Sequence, residues 1–232
     1  GEEIGDMMVK HPRVSGVLFT GSSAARALIQ DSVARFNKKE LPLLDPSAYY
    51  PKKGIALESG GKNAIIVMPD ANEDRALEDV ADSAFAFQGQ LCSACSRLIL
   101  VNPDTVEGRR RYERFVERLK ERIESFSIGS PEDPKNQIGP LIDEEARRKV
   151  VAYMELAEGI GTVLARGEKP PHGGGYFVSP LLVGNISPDS KIAREEIFGP
   201  VLSVFRVKTL DKALALANRT RFALTGGIHT RN

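Results

Sequence analysis

An α/β fold built on a largely parallel sheet is what this sequence predicts, and three observations carry the prediction. Short apolar runs at residues 14–20, 64–67, 96–101 and 201–207 have the length of buried strands. Between them lie segments with apolar residues at helical spacing. The two kinds of segment alternate along the chain, as they do in successive β-α-β units.

In chain order, residues 14–20 read as a strand, Gly21 as a turn, and a helix opens near Ser22 or Ser23, because a serine there can cap free amides. Residues 37–53 mix lysines with three prolines and show no period, so they read as a connection. A strand follows at 64–67. Residues 74–87 carry small and apolar residues at helical spacing, and this helix is expected to run into Gly89. After a strand at 96–101, Tyr112, Phe115, Val116, Leu119 and Ile123 mark one face of a long charged helix whose start is signalled by Asn102 and Pro103. Its arginines 109–111 read as a solvated face, since acidic residues at helical spacing accompany them. A helix at 144–158, short strands around 172–183, a strand at 201–207 and a helix at 210–218 complete the series.

The chain has 232 residues, enough for one large domain or one domain and part of another. Thirty-two Lys and Arg against 31 Asp and Glu leave a net charge of +1. No global field draws such a protein to nucleic acid or an anionic membrane, and a small-molecule substrate is the expected partner. No apolar run approaches bilayer length, and the first residues lack the pattern of a secretory signal. The expected location is the cytosol or an organelle matrix, the mitochondrial matrix in a eukaryote. Two cysteines are too few for a disulfide framework, in keeping with a reducing compartment.

Those two cysteines lie three apart in "FQGQLCSACSR", where Cys92 and Cys95 spell C-x-x-C. A tetrahedral zinc site needs two more ligands, and the three histidines, His11, His172 and His229, are far apart, so no metal site is expected. A redox pair is an alternative, and a small core residue is the plainest reading for Cys95. Cys92 differs because a glycine and a glutamine precede it, where the helix must stop and the chain turn. Upstream, in "LESGGKNAIIV", Glu58 is followed by two glycines that allow a tight backbone path. Glu58 reads either as an exposed strand end or, paired with a cysteine, as a general base.

The segments "ESGGKNAIIV", "FQGQLCSACSR", "IGPLID", "EEIFGPVLSVFRV" and "ALTGGIHTR", in this order and spacing, resemble the aldehyde dehydrogenase superfamily. Cys92 followed at once by Ser93, and "GYFVSP" ahead of "EEIFGPVLSV", resemble its glutamate semialdehyde branch, the pyrroline-carboxylate dehydrogenases of proline catabolism. The resemblance covers nearly the whole chain. It implies that residues 1–57 are the end of a Rossmann-like cofactor-binding domain and residues 58–232 a parallel-sheet catalytic domain, incomplete at its C-terminal end.

It further implies that Cys92 attacks an aldehyde, L-glutamate γ-semialdehyde in this branch, and that the resulting thiohemiacetal gives up hydride to NAD and leaves a thioester. The chemistry suits the residue type: an aldehyde lacks an electron-rich tetrahedral centre, and sulfur supplies one while forming an ester that water can cleave. Glu58 resembles the base that activates the deacylating water, a role that calls for partial burial. Glu196 and Phe198 match positions that grip the nicotinamide ribose and pack on the nicotinamide ring, where a carboxylate suits vicinal hydroxyls. Gly21 and Ser22 match a turn whose helix start faces the cofactor pyrophosphate. Ser93 is expected at the substrate's carboxylate end, and Phe85 and Phe87 along the aldehyde channel.

The sequence also departs from the family pattern. Members are about twice this long by the size prior for such enzymes, so an N-terminal half carrying an oxyanion-stabilising asparagine, and a C-terminal segment that closes the pocket and bridges subunits of a homo-oligomer, are expected to be missing. Residues 23–53 match poorly, and Leu91 stands where the branch carries lysine or arginine. Residues around an adenine ribose, which separate NAD from NADP, lie outside the matched region. The alternatives are an aldehyde dehydrogenase for another small aldehyde, and a truncated, non-catalytic relative that serves as a subunit or partner-binding piece.

Overall fold

The computed structural model describes residues 2–40, 51–171 and 174–232. Most of the expected connection at 37–53, and His172 with the start of the stretch at 172–183, lie outside the described residues. The chain divides into two compact units, Gly1–Gly60 and Gly61–Asn232.

In the first unit, α1 (Glu2–Lys10), β1 (Gly16–Gly21), α2 (Ser23–Asn37) and β2 (Gly54–Ser59) follow one another. β1 and β2 pair in parallel, with Thr20 opposite Glu58. The Ser22 hydroxyl accepts the Ala25 N–H at 3.1 Å and so caps α2. Buried Lys53 ties the unit together, since its ammonium donates to the carbonyls of Val9 (2.7 Å) and His11 (2.6 Å) and lies 4.2 Å from the Phe36 ring centre. The sequence pattern gave no signal for α1, whose only buried residue is Val9, or for β2, whose residues are mostly exposed.

The second unit is a six-stranded sheet with helices on both faces. Its elements are β3 (Asn63–Val67), α3 (Glu73–Phe85), β4 (Cys95–Val101), α4 (Val106–Glu124), α5 (Glu144–Ile160), β5 (Thr162–Arg166), β6 (Leu181–Gly184), the single turn α6 (Lys191–Arg194), β7 (Val201–Val207), α7 (Leu210–Ala217) and β8 (Gly226–His229). The strand order is β5-β6-β7-β4-β3-β8, and every pairing except β5 with β6 is parallel. Leu98 and Leu100 of β4 face the core under α3 and α4, while Ile99 and Val101 face the core under α5 and α7. Coverage on both faces is the reason β4 and β7 read as unbroken apolar runs rather than alternating ones.

Several local expectations are corrected. α4 starts later than Asn102 and Pro103 suggest, because the Thr105 side chain accepts the Gly108 N–H and sets the cap there. Arg111 does not belong to a solvated face. It is buried, donating to Glu73 and to the carbonyls of Met68 and Val101, so it joins α4 to the start of α3. Of the stretch at 172–183 only Leu181 onward is strand, and the described residues before it are irregular. β5 and β8, five and four residues long, are too short for a pattern to show and exist through their partners. Among the described residues no helix is long and apolar enough to cross a membrane.

Candidate active site

Because β3, β4, β7 and β8 run parallel, the loops that enter them arrive at one edge of the sheet. Those loops carry residues 61–62, 86–94, 195–200 and 222–225. Ligand sites in open α/β sheets ordinarily gather at the opposite, carboxyl edge. Here the residues with chemistry gather at the entry edge.

The thiol loop begins where α3 ends at Phe85, earlier than the expected run into Gly89. Phe87 (φ 50°), Gln88 (φ 58°) and Gly89 (φ 68°) take the left-handed backbone that large residues avoid. Gly89 has no alternative, since a Cβ there would stand 2.5 Å from the carbonyl oxygen of Gly199. The loop is braced from a third direction by Gln90, whose Oε1 accepts the Ile142 N–H at 2.9 Å. That bond brings the "IGPLID" segment against the thiol loop.

Cys92 is half-buried and Ser93 exposed, both on this loop. Cys95 is 2% exposed in the core, its thiol 3.5 Å from the Arg97 carbonyl, and burial pushes that thiol up to about 12. A disulfide-exchange pair needs two thiols within reach of a partner, so Cys95 has the geometry of a core residue. Phe87, on the thiol loop, is 70% exposed. Phe85 is corrected: at 1% exposure, with its ring edge-on to Phe126 at 5.7 Å, it is core and lines no channel.

Glu196 and Phe198 lie on the loop entering β7. The Glu196 Oε1 accepts the Gly61 N–H at 2.9 Å, and among the described residues its other oxygen has no hydrogen-bond partner. Phe198 adopts φ 61° and is 39% exposed, so a strained backbone holds a large ring outward. A narrow recess between the two loops is lined by Gly61, Gly89, Ala94, Ser96, Glu196 and Phe198. In the first unit Glu58 is exposed at the end of β2, without the partial burial expected of a base, and Gly21 and Ser22 are exposed at the start of α2.

Three residues shape this edge, of which the sequence marked only Gly61, as one of two glycines on a tight backbone path, and left Asn63 and Arg97 unassigned. Gly61 has no room for a side chain, since a Cβ would be 2.5 Å from the Cys92 carbonyl oxygen. Asn63 donates from one nitrogen to the carbonyls of Cys92 (2.8 Å) and Ala94 (2.9 Å). Arg97, almost fully buried, donates to the carbonyls of Lys62, Leu216 and Ala217 and so pins the 61–62 turn to the end of α7. The available signal was a run of polar residues, Lys62 and Asn63, immediately ahead of a strand buried on both faces.

A parallel sheet covered on both faces, with a thiol-bearing loop at the entry to one central strand, is the α/β arrangement of the aldehyde dehydrogenases. The chain belongs to the aldehyde dehydrogenase family, whose model matches residues 1–232. It is 35% identical over all 232 residues to a 1-pyrroline-5-carboxylate dehydrogenase of Geobacillus sp. (strain WCH70). A crystal structure of 1-pyrroline-5-carboxylate dehydrogenase from Thermus with bound NAD superimposes with a TM-score of 0.85 at 41% identity, covering 100% of this chain and 42% of that one. Proline utilization A from Bdellovibrio bacteriovorus superimposes with a TM-score of 0.87 at 40% identity, covering 100% of this chain and 22% of that one. The chain spans 42% of the length of the curated Geobacillus relative.

Proposed function

We propose that this segment carries the thiol and part of the cofactor grip of an enzyme that oxidises L-glutamate γ-semialdehyde to L-glutamate with NAD, and that residues 1–57 are the end of the cofactor domain. One observation carries the reading. The turn at Gly61–Asn63 holds the Glu196 carboxylate through the Gly61 amide and the Cys92 peptide through the Asn63 amide, so a half-buried cysteine and a half-buried carboxylate share one anchor.

The residues fit a nicotinamide cofactor. Among the described residues Glu196 keeps one oxygen unengaged for a ribose hydroxyl, and the exposed Phe198 ring offers a flat apolar face. When bound, NAD supplies the hydride acceptor. Cys92 attacks the aldehyde carbon, forming a carbon–sulfur bond and sending the carbonyl electrons to oxygen, and loss of hydride from that carbon leaves a thioester on Cys92. Glu58 then takes a proton from water, whose oxygen attacks the thioester carbon, breaks the carbon–sulfur bond and releases the carboxylic acid and the Cys92 thiolate. Ser93 and Phe87 are the residues of the thiol loop assigned to the substrate, with the serine hydroxyl as a donor to its carboxylate.

The test is NADH formation by the protein as its gene encodes it, with L-glutamate γ-semialdehyde set against other small aldehydes. Formation abolished in Cys92→Ala supports the reading. Equal rates on unrelated aldehydes would move the substrate assignment, and formation unaffected by Cys92→Ala would end it.

A further inference from the structure

We infer that Asn63 is a positioning residue for the nucleophile, holding the peptide that carries Cys92 in one orientation. The catalytic part of this inference rests on the function proposed above, whereas the structural part does not. The parallel ladder between β3 and β4 is irregular at this point: Asn63 pairs with Cys95 but Ala64 with Arg97. Below that irregularity the chain at 92–94 leaves the sheet, and its carbonyls lose the backbone donors that a continued ladder would supply. The Asn63 side chain replaces them. Both hydrogens of its Nδ2 are used, one on the Cys92 carbonyl at 2.8 Å and one on the Ala94 carbonyl at 2.9 Å. Its Oδ1 accepts the Thr225 N–H at 3.3 Å, which fixes the direction of the amide from the β8 side. The residue is 6% exposed, and burial strengthens these hydrogen bonds relative to the same bonds in water.

Gly61 and Asn63 thus act on the same peptide from two sides, one by packing against the Cys92 carbonyl and the other by hydrogen bonding to it. Rotation of that peptide would swing the Cα–Cβ bond of Cys92. The Asn63 amide bonds the Cys92 carbonyl and acts on the thiol only through that peptide, so its effect on the reaction is expected in kcat rather than in aldehyde KM, because misplacement of a nucleophile by about 1 Å costs up to about a hundredfold.

The variants are Asn63→Ser, which keeps one donor, and Asn63→Asp, which keeps the shape and loses both. Without substrate, amide hydrogen exchange across residues 91–94 is expected to rise about tenfold in Asn63→Ser while β4 and β7 are unchanged. In turnover, kcat is expected to fall about tenfold in Asn63→Ser and about a hundredfold in Asn63→Asp, with aldehyde KM within about twofold and Cys92 still alkylated by iodoacetamide. Unchanged exchange at 91–94 overturns the proposal, and so does faster exchange throughout the sheet, since that is global loosening. Unchanged kcat with faster local exchange overturns the catalytic part. If the unsubstituted protein forms no NADH from any aldehyde, the proposed function has failed, and the exchange measurement still decides whether Asn63 holds the loop. Should Asn63→Ser not fold, Asn63→Gln, with both donors on a longer stem, takes its place with the same readouts.

Discussion

The Gly61 amide and the Glu196 carboxylate meet at 2.9 Å across 135 residues of sequence. A backbone donor cannot change rotamer, so it fixes one carboxylate oxygen and leaves the other without a hydrogen-bond partner among the described residues. Gly61 has the space for this only because it lacks a Cβ, which would otherwise stand 2.5 Å from the Cys92 carbonyl oxygen and 2.7 Å from the Asn63 Oδ1.

Gly61→Ala is therefore expected to destabilise the protein by about 1–3 kcal/mol, as overpacking of a filled site does, and to weaken NAD binding as Glu196 is displaced. Urea midpoints and calorimetric titration with NAD measure the two effects. Wild-type values for both would show that the turn yields without consequence.

In the native protein one equivalent of iodoacetamide is expected to label Cys92 and leave Cys95 untouched, since burial pushes the Cys95 thiol up to about 12 and hides it from reagent. Peptide mapping distinguishes the sites. Cys95→Ala is correspondingly expected to keep most NADH formation, and loss equal to that of Cys92→Ala would revive the redox-pair reading.

Glu58→Gln is expected to give a single burst of NADH and then stall at the thioester, because hydride leaves before the base is needed. Rapid-mixing absorbance separates burst from steady rate. Steady turnover at the wild-type rate would remove Glu58 from the mechanism.

Lys62 makes a prediction in pH. Its ammonium is fully buried without a hydrogen-bond partner among the described residues, and burial first, then Arg97, pushes it down to about 7 against the opposing pull of Glu196. An unfolded lysine titrates near ~10.4, so between about 7 and ~10.4 the unfolded chain holds the proton that the folded chain has lost. Stability from this group rises with pH across that window, and its cost is fully present below about 7. Lys62→Met is expected to stabilise by on the order of a few kcal/mol below neutrality and progressively less toward pH ~10. Urea denaturation at several pH values tests it, and a gain independent of pH would contradict the titration.

Arg97→Ala would take the charged donor away from the carbonyls of Lys62, Leu216 and Ala217, of which Leu216 keeps the Arg219 N–H at 3.1 Å. Loss of about 3 kcal/mol or more is expected, since charged hydrogen bonds and buried acceptors are both involved. A loss below about 1 kcal/mol would mean that water or another side chain fills the site.

Local chemistry made much of this protein readable in advance. Apolar runs at β3, β4 and β7 are buried on both faces and so stand out whatever surrounds them. Ser22 caps α2 through a bond within three residues, and the segments around Cys92 and Glu196 can be recognised from order and spacing. Tertiary structure decided the remainder. Whether Phe85 is channel or core depends on Phe126, whether Arg111 is solvated depends on Glu73 and two carbonyls, and whether Cys95 is reagent or filler depends on helices packed over β4. Asn63 and Gly61 act on partners 29 and 135 residues away. Propensity and periodicity report the neighbours of a residue along the chain, whereas parallel pairing brings the entry loops of separate strands to one edge, and only there do those long-range partners come within hydrogen-bonding distance.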